Sequence, residues 1–500
     1  MAGEQQPILV GVGQYSERPA DLARAPHPIE MMAMAAQAAA HDAECGTLLG
    51  SLDLVVVINV LSWTYPDPAG LLAQTVGSPE AERVYTSIGG NTPQLQVNEI
   101  ADRIAAGELQ AALIAGGEAM YSARRAQKAG VRLPWPPREG SPAMSGETRW
   151  GNTSHELAHR AQMPTQVYPL FENALRAARR QSIADQREML GRFYARFAAV
   201  ARDNPYAWFR DGKTAAEISE VSAENRMIGF PYPKYMNAIM EVDQAAALLL
   251  TNVATATRMG IPPERWVYLW GSGDATDHWF LGDRVDFHSS PAIRAAGRDA
   301  MQQAGVAIGD IEHFDLYSCF PCAPQIGAAM LGLAADDSRP LTVTGGLAYA
   351  GGPGNNYSTH AIAAMAERLR AKPGSLGLVS GVGWYMTKHS VGIYGSAPPP
   401  RARRRRPPSE TQGELDAIAH PTVTETPSGP ARIETYTVLH DRDGAPETGL
   451  VVGLLDSGER FWANTPADVG LLESMEKEEA IGRRGRVQHD AGTGLNRFEL

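Results

Sequence analysis

Two glycine-rich turns constrain this chain more than any other feature. The first lies in Thr86-Ser-Ile-Gly-Gly-Asn-Thr-Pro-Gln-Leu-Gln-Val-Asn-Glu-Ile-Ala-Asp-Arg-Ile104. A short β-prone run, residues 84–88, feeds Gly89 and Gly90, and Val97, Ile100, Ala101 and Ile104 then recur at helical spacing. Glycine gives the backbone angles that a side chain would block. The helix start that follows presents unpaired N–H groups and a partial positive charge, a natural seat for a nucleophile or an oxyanion. Yet no nucleophile stands there. The second turn lies in Thr344-Gly-Gly-Leu-Ala-Tyr-Ala-Gly-Gly-Pro-Gly-Asn-Asn-Tyr-Ser-Thr-His360, again before a helix. Each helix leads into an apolar strand ending in glycine, residues 111–117 and 375–383, and each turn is preceded by a helix and a strand of similar pattern. The chain therefore reads as two similar α/β halves.

Around these halves the pattern changes twice. Residues 121–235 hold an irregular Pro/Gly/Ser/Thr-rich part and two amphipathic helices within 168–201, which is an insertion at the end of a strand, where α/β proteins carry binding loops. The expected boundaries are 1–120 and 236–258 for the first half, 121–235 for the inserted domain and 259–396 for the second half. Residues 397–430 follow as a Pro/Arg-rich linker and 431–500 as an additional β-rich domain. The arginines around 401–406 read as a solvated linker. In the last domain, strand character at 432–439, 448–454 and 459–464 suggests a small OB-like barrel. From Arg432 onward it has eight Lys/Arg against thirteen Asp/Glu, so it would repel phosphate backbones and is expected to pack on protein.

Composition excludes several classes. A net charge of −11 over 500 residues argues against nucleic acid as the main partner. No run approaches the ~18 apolar residues of a membrane span, and the first residues lack the plan of a secretory signal. Three cysteines, Cys45, Cys319 and Cys322, are too few for a disulfide framework and fit a reducing cytoplasm. Cys319 and Cys322 form Cys-x-x-Cys without a second ligand pair, so no metal is expected.

Several segments, taken in order, resemble the thiolase superfamily. They are Asn204-Pro-Tyr206, Met236-Asn-Ala-Ile-Met-Glu-Val-Asp-Gln-Ala-Ala-Ala247, Tyr317-Ser-Cys-Phe320 and Gly345-Gly-Leu-Ala-Tyr-Ala-Gly-Gly-Pro353. The chain is most similar to the sterol-carrier-protein-type thiolases and to the thiolase-like proteins of type 1 with an additional C-terminal domain. The resemblance, covering residues 8–394, implies duplicated αβα halves forming a five-layered αβαβα core, with a helical loop domain inserted in the first half. It also implies coenzyme A as a substrate moiety, with acyl-CoA or free CoA as partner and no separate cofactor, in a monomer or homodimer. The departures concern the chemistry. Gly89 or Gly90 falls where the family carries its acyl-accepting cysteine, Gly352 where it carries the activating histidine, and Tyr317 where it carries a His or Asn. No cysteine occurs in Ser380-Gly-Val-Gly383, where the family has a late one. Loss of a covalent nucleophile costs on the order of 10⁶ in rate when nothing replaces it, so thiolysis through an acyl-cysteine is not expected.

The resemblance makes Tyr317 and Cys319 the catalytic candidates and Gly89, Gly90, Asn237, Gly351, Gly352, Tyr349, Tyr357 and His389 the substrate or CoA contacts. Cys45, Cys322 and His360 read as packing residues, and Thr86, Ser87 and Ser318 have no base beside them in sequence. The pocket is expected between the two glycine turns. Three functions fit: a thiolase-like acyl-CoA-binding protein of lipid metabolism without ordinary acyltransferase activity, a retro-aldol lyase acting on a β-hydroxyacyl-CoA such as a steroid side chain, and a non-catalytic CoA-binding scaffold. The lyase reading follows from relatives that lack the cysteine and use a Tyr-x-Cys-Phe tyrosine with an OB-fold partner.

Overall fold

The computed structural model describes residues 3–500. Its main sheet has nine strands, in the order Glu82–Tyr85, Leu54–Val57, Ala111–Ala119, Asp243–Asn252, Pro7–Ser16, Val267–Thr276, Lys388–Gly395, Leu376–Gly383 and His313–Asp315. The first five belong to one half and the last four to the other. They meet where Pro7–Ser16 runs antiparallel to Val267–Thr276 through Ile8↔Tyr268 and Leu9↔Val267. The helices Thr92–Ala105 and Tyr357–Ala371, each opened by one of the glycine turns, pack on strands of both halves. Helices Pro28–Asp42 and Pro291–Ala304 cover the outer faces. This gives helix, sheet, paired helices, sheet and helix in five layers.

The two outer helices are seated by the same device. A Cβ on Gly11 or Gly13 would lie 2.1 Å from the Ala39 carbonyl oxygen or 2.0 Å from that of Ala35. A Cβ on Gly271 or Gly273 would lie 2.0 Å from the carbonyl oxygens of Ala300 and Ala296 respectively. Bare glycine strands against alanine helix faces let backbones approach closely, and the pattern repeats in both halves. Helix Pro291–Ala304 shows why such segments are helical: Ser290 accepts the Ile293 N–H at 3.1 Å, proline occupies the first turn, and Gly305 ends the helix in left-handed backbone at φ 71°.

The insertion contains helices Pro164–Ala178 and Ile183–Asp203, preceded by coil over much of residues 131–153. Its hairpin, Met227–Gly229 with Tyr232–Pro233, adds to the sheet of the C-terminal domain through Leu439↔Gly229. That domain is a closed five-stranded barrel. Ser428–His440 pairs with Pro446–Leu455 and with Arg484–Asp490, and the circle closes through Arg460–Asn464 and Leu495–Glu499. The last two strands in sequence go beyond the three foreseen. In each, charged residues alternate with a few buried ones, Val487 in one and Phe498 in the other, so they lack an apolar run. Buried Arg176 joins the barrel to the insertion by pairing with Glu479, and buried Arg460 joins it to the second half by donating to the Gly282 carbonyl at 2.8 Å.

Two of the linker's arginines are packed rather than solvated, while Arg401 and Arg404 stay exposed. Arg403 and Arg405, with side chains 5% and 9% exposed, reach Asp102 at 2.8 and 2.7 Å, and Arg405 also pairs with Asp274. The helix Pro408–Asp416 follows directly. The acceptors, on strands and helices of the halves, are far away in sequence, so local composition could not reveal them. Among the described residues no helix is long and apolar enough to cross a membrane.

Candidate functional site

The two glycine turns are stitched together. The Gly89 N–H donates to Asn355 Oδ1 at 2.8 Å, Ser358 Oγ donates to the Gly90 carbonyl at 2.7 Å, and Asn355 Nδ2 reaches the Asn59 carbonyl at 3.0 Å. The segment after Asn237 passes beside the second turn, with the Ala238 N–H on the Cys319 carbonyl at 3.1 Å and the Gly352 N–H on the Ile239 carbonyl at 2.8 Å. Asn237 itself donates to the Pro233 carbonyl at 2.7 Å. Gly351, at φ 113°, lies where a Cβ would be 2.2 Å from Gln244 Oε1. Two of the N–H groups that could have faced a thioester oxygen, those of Gly89 and Gly352, are thus bonded within the protein.

Tyr317 stands directly against the first turn. A Cβ on Gly90 would lie 2.1 Å from its Oη and 2.7 Å from the Val382 carbonyl oxygen. The phenol occupies the space a side chain at 90 would need, and its ring meets that of Tyr357 edge-on at 5.5 Å. Burial pushes the Tyr317 phenol well above its ordinary value and the Cys319 thiol up to about 12. At neutral pH both are uncharged, so Cys319 supplies no thiolate. Aromatic rings pack nearby: Tyr168 stacks on Phe320 at 4.5 Å and Tyr194 meets Tyr349 at 5.9 Å. The insertion's helices thus bring aromatic side chains against the segment that holds Cys319 and Phe320.

The other candidates are tied to structure. Tyr357 Oη reaches Asp315 Oδ1 at 2.9 Å and Thr344 Oγ1 at 2.6 Å, and Tyr349 Oη donates to the Tyr235 carbonyl at 3.1 Å. His389 Nε2 lies 3.0 Å from the Met386 carbonyl and 3.3 Å from Asp277. His360 Nδ1 meets Gln14 Oε1 at 2.8 Å, Nε2 has no partner, and burial pushes the ring down to about 3. Ser318 Oγ is buried without a partner, and all three cysteines are free thiols.

A cavity borders the first turn. Its volume is about 400 Å³, and it is bounded by Thr86, Ser87, Asn91, Lys388 and His389, with Gln412 and Asp416 of the helix after the linker on its far wall. Lys388 Nζ donates to the Ile88 carbonyl at 2.5 Å. The sequence reading passed over this lysine. Its one local signal is its place at the start of the final apolar strand, just before His389, and its burial depends on Gly89, some 300 residues away in sequence.

Comparison with known proteins agrees with this architecture. Residues 410–492 match the family model of the thiolase-like protein type 1 additional C-terminal domain. The crystal structure of a monomeric SCP2-thiolase-like protein type 1 from Mycobacterium smegmatis is 35% identical with a TM-score of 0.86, and the match covers 100% of both chains. A structure described as an Ltp2–ChsH2(DUF35) aldolase superposes with a TM-score of 0.60 at 17% identity, over 78% of this chain and 98% of that one, a likeness of fold alone. No curated protein matches the chain. Identity at that level along the whole chain, with the additional domain in place, means that the chain belongs to the SCP2-thiolase-like protein type 1 family.

Proposed function

We propose that this protein is an acyl-CoA-binding member of the acetyl-CoA acyltransferase superfamily that acts in lipid or acyl-CoA metabolism without forming an acyl-enzyme. The observation that carries the reading is the Tyr317 hydroxyl in the space where a side chain at Gly90 would stand. Acyl transfer needs a nucleophile with a base beside it. Here the turn offers glycine, Gly352 replaces the activating histidine, and the nearby phenol and thiol are neutral. Kinship with thiolase-like proteins supports the thioester as ligand. Titration calorimetry with CoA and acetoacetyl-CoA, beside a thiolysis assay, tests this. Binding without turnover is the expected result. A radiolabelled acyl group trapped on the protein at ordinary thiolase rates would refute it, as would failure of both ligands to bind.

A second reading, a retro-aldol lyase acting on a β-hydroxyacyl-CoA, is favoured by Tyr317 itself. Its Oη forms no hydrogen bond among the described residues. A neutral phenol is suited to donate to a developing enolate oxygen. Incubation with a β-hydroxyacyl-CoA should then release an aldehyde or ketone, and Tyr317→Phe should abolish release with little change in CoA affinity. Unchanged cleavage in that variant would remove the tyrosine from the chemistry.

A further inference from the structure

The cavity beside the first turn contains the chain's one buried lysine. Of the six lysines, Lys128, Lys234, Lys372 and Lys477 are exposed, Lys213 is half-buried, and Lys388 is 7% exposed. Taking an ammonium out of water without a carboxylate partner is unfavourable, and such a group responds by losing its proton. Among the described residues no carboxylate lies within ion-pair distance of Lys388, and its one hydrogen bond goes to the Ile88 carbonyl. Burial pushes the amine down to about 8, with the charge of Glu147 acting in the opposite direction.

The place is built for this side chain. A Cβ on Gly89 would lie 2.9 Å from both Cε and Nζ of Lys388, and a Cβ on Gly383 would lie 2.9 Å from Cε. Two glycines from opposite halves thus leave a slot through which the amine reaches the cavity wall. A lysine needed only to hold the Ile88 carbonyl would require no cavity beside it. The volume of about 400 Å³ suits a small molecule. Its charged lining is Glu99, Glu147, Asp274 and Asp416 against Arg149 and Lys388, with Asp274 already paired to Arg405. That surplus of carboxylates disfavours an anionic ligand, CoA included. Thr86, Ser87, Asn91 and Gln412 offer neutral polar contacts.

We propose that this cavity binds a small uncharged aldehyde or ketone and that the Lys388 amine forms an imine with it. The Nζ lone pair attacks the carbonyl carbon, the C–N bond forms, and the carbonyl π pair moves to oxygen. Nitrogen then gives up its two protons to that oxygen, which leaves as water while the C=N bond forms. Atoms and electrons balance without an oxidant or reductant. The neutral amine keeps a lone pair for attack while one N–H points to Ile88.

The probe is 2,4-pentanedione, an uncharged diketone whose adduct with a neutral lysine amine is a stable, ultraviolet-absorbing enaminone. Full-length protein is incubated with it near pH 7.5, digested and mapped by mass spectrometry. The expected result is an adduct of one diketone less one water on Lys388, formed roughly tenfold or more faster than on exposed lysines, whose ordinary values near 10.4 leave almost no free amine. Lys388→Arg, with its melting curve as a check on folding, should lose that adduct and its absorbance. If the variant fails to fold, the wild-type map still decides, because the peptide carrying the label identifies the lysine. Labelling spread evenly over exposed lysines, or absence of label from Lys388, would overturn the proposal.

Discussion

A nucleophile cannot simply be installed at Gly90. With Tyr317 Oη 2.1 Å from the point where a Cβ would sit and a backbone carbonyl at 2.7 Å, Gly90→Cys must displace the phenol or the turn. Overpacking of this kind costs about 1–3 kcal/mol. The variant is expected to melt earlier than wild type and to gain no thiolase activity; a stable, active Gly90→Cys would show that the phenol yields easily. His360 makes a prediction about pH. Its ring is held neutral down to about 3 by burial, whereas an unfolded histidine takes a proton near 6.5. The unfolded state therefore binds more protons in between, and stability from this group is lost as pH falls from about 6.5 toward 3. Two buried carboxyls, Glu118 and Glu156, both pushed up to about 7, act in the opposite sense, since stability from them falls as pH rises from about 4.3 to 7. The difference between wild type and His360→Gln isolates the histidine: between pH 6 and 5 the wild type should lose about 1 kcal/mol more than the variant. Parallel stability curves for the two proteins would contradict this. Lys388 marks where reading by residue fails. A lone lysine gives no periodic signal, and its burial is created by glycines from two distant segments.

The glycine–alanine contacts under the two outer helices predict equivalent sensitivity in both halves. Gly13→Ala and Gly273→Ala each place a Cβ about 2.0 Å from a helix carbonyl oxygen. Each should lower stability by about 1–3 kcal/mol through displacement of its helix. Thermal melts compare them directly, and a neutral effect in either half would mean that the helix shifts without penalty. The strand-to-helix turns, the paired insertion helices and the first three barrel strands were readable from periodicity and turn residues, because each declares itself within about a dozen positions. The strands Arg484–Asp490 and Leu495–Glu499 were not, since each has few apolar residues and only the barrel's closure defines their inner face. The aromatic contacts beside Cys319 were equally hidden. Tyr168 and Phe320 meet across about 150 residues of chain, and no local pattern encodes such a stack.

The first half's edge strand, Glu82–Tyr85, is partly covered within the chain. The Ser145 N–H donates to the Tyr85 carbonyl at 2.7 Å and the Ser87 N–H to the Ser145 carbonyl at 2.8 Å, so the end of this edge nearest the first glycine turn is occupied within the chain. A monomer is expected, with a mass by light scattering near 53.8 kDa; twice that value would show that another surface associates. The clamp formed by Arg403 and Arg405 has a consequence for proteolysis. To a trypsin-like enzyme five arginines among prolines spell an inter-domain cutting site, but a guanidinium held between Asp102 and Asp274 cannot enter a protease's specificity pocket without first leaving its carboxylates. The native chain should therefore resist nicking after Arg403 and Arg405 even in a run that looks made to be cut. Asp102→Asn should add cuts after Arg403 and Arg405, read from the masses of the fragments, to any made after the exposed Arg401 and Arg404, whereas unchanged cutting at those two positions would show that Asp102 does not protect them.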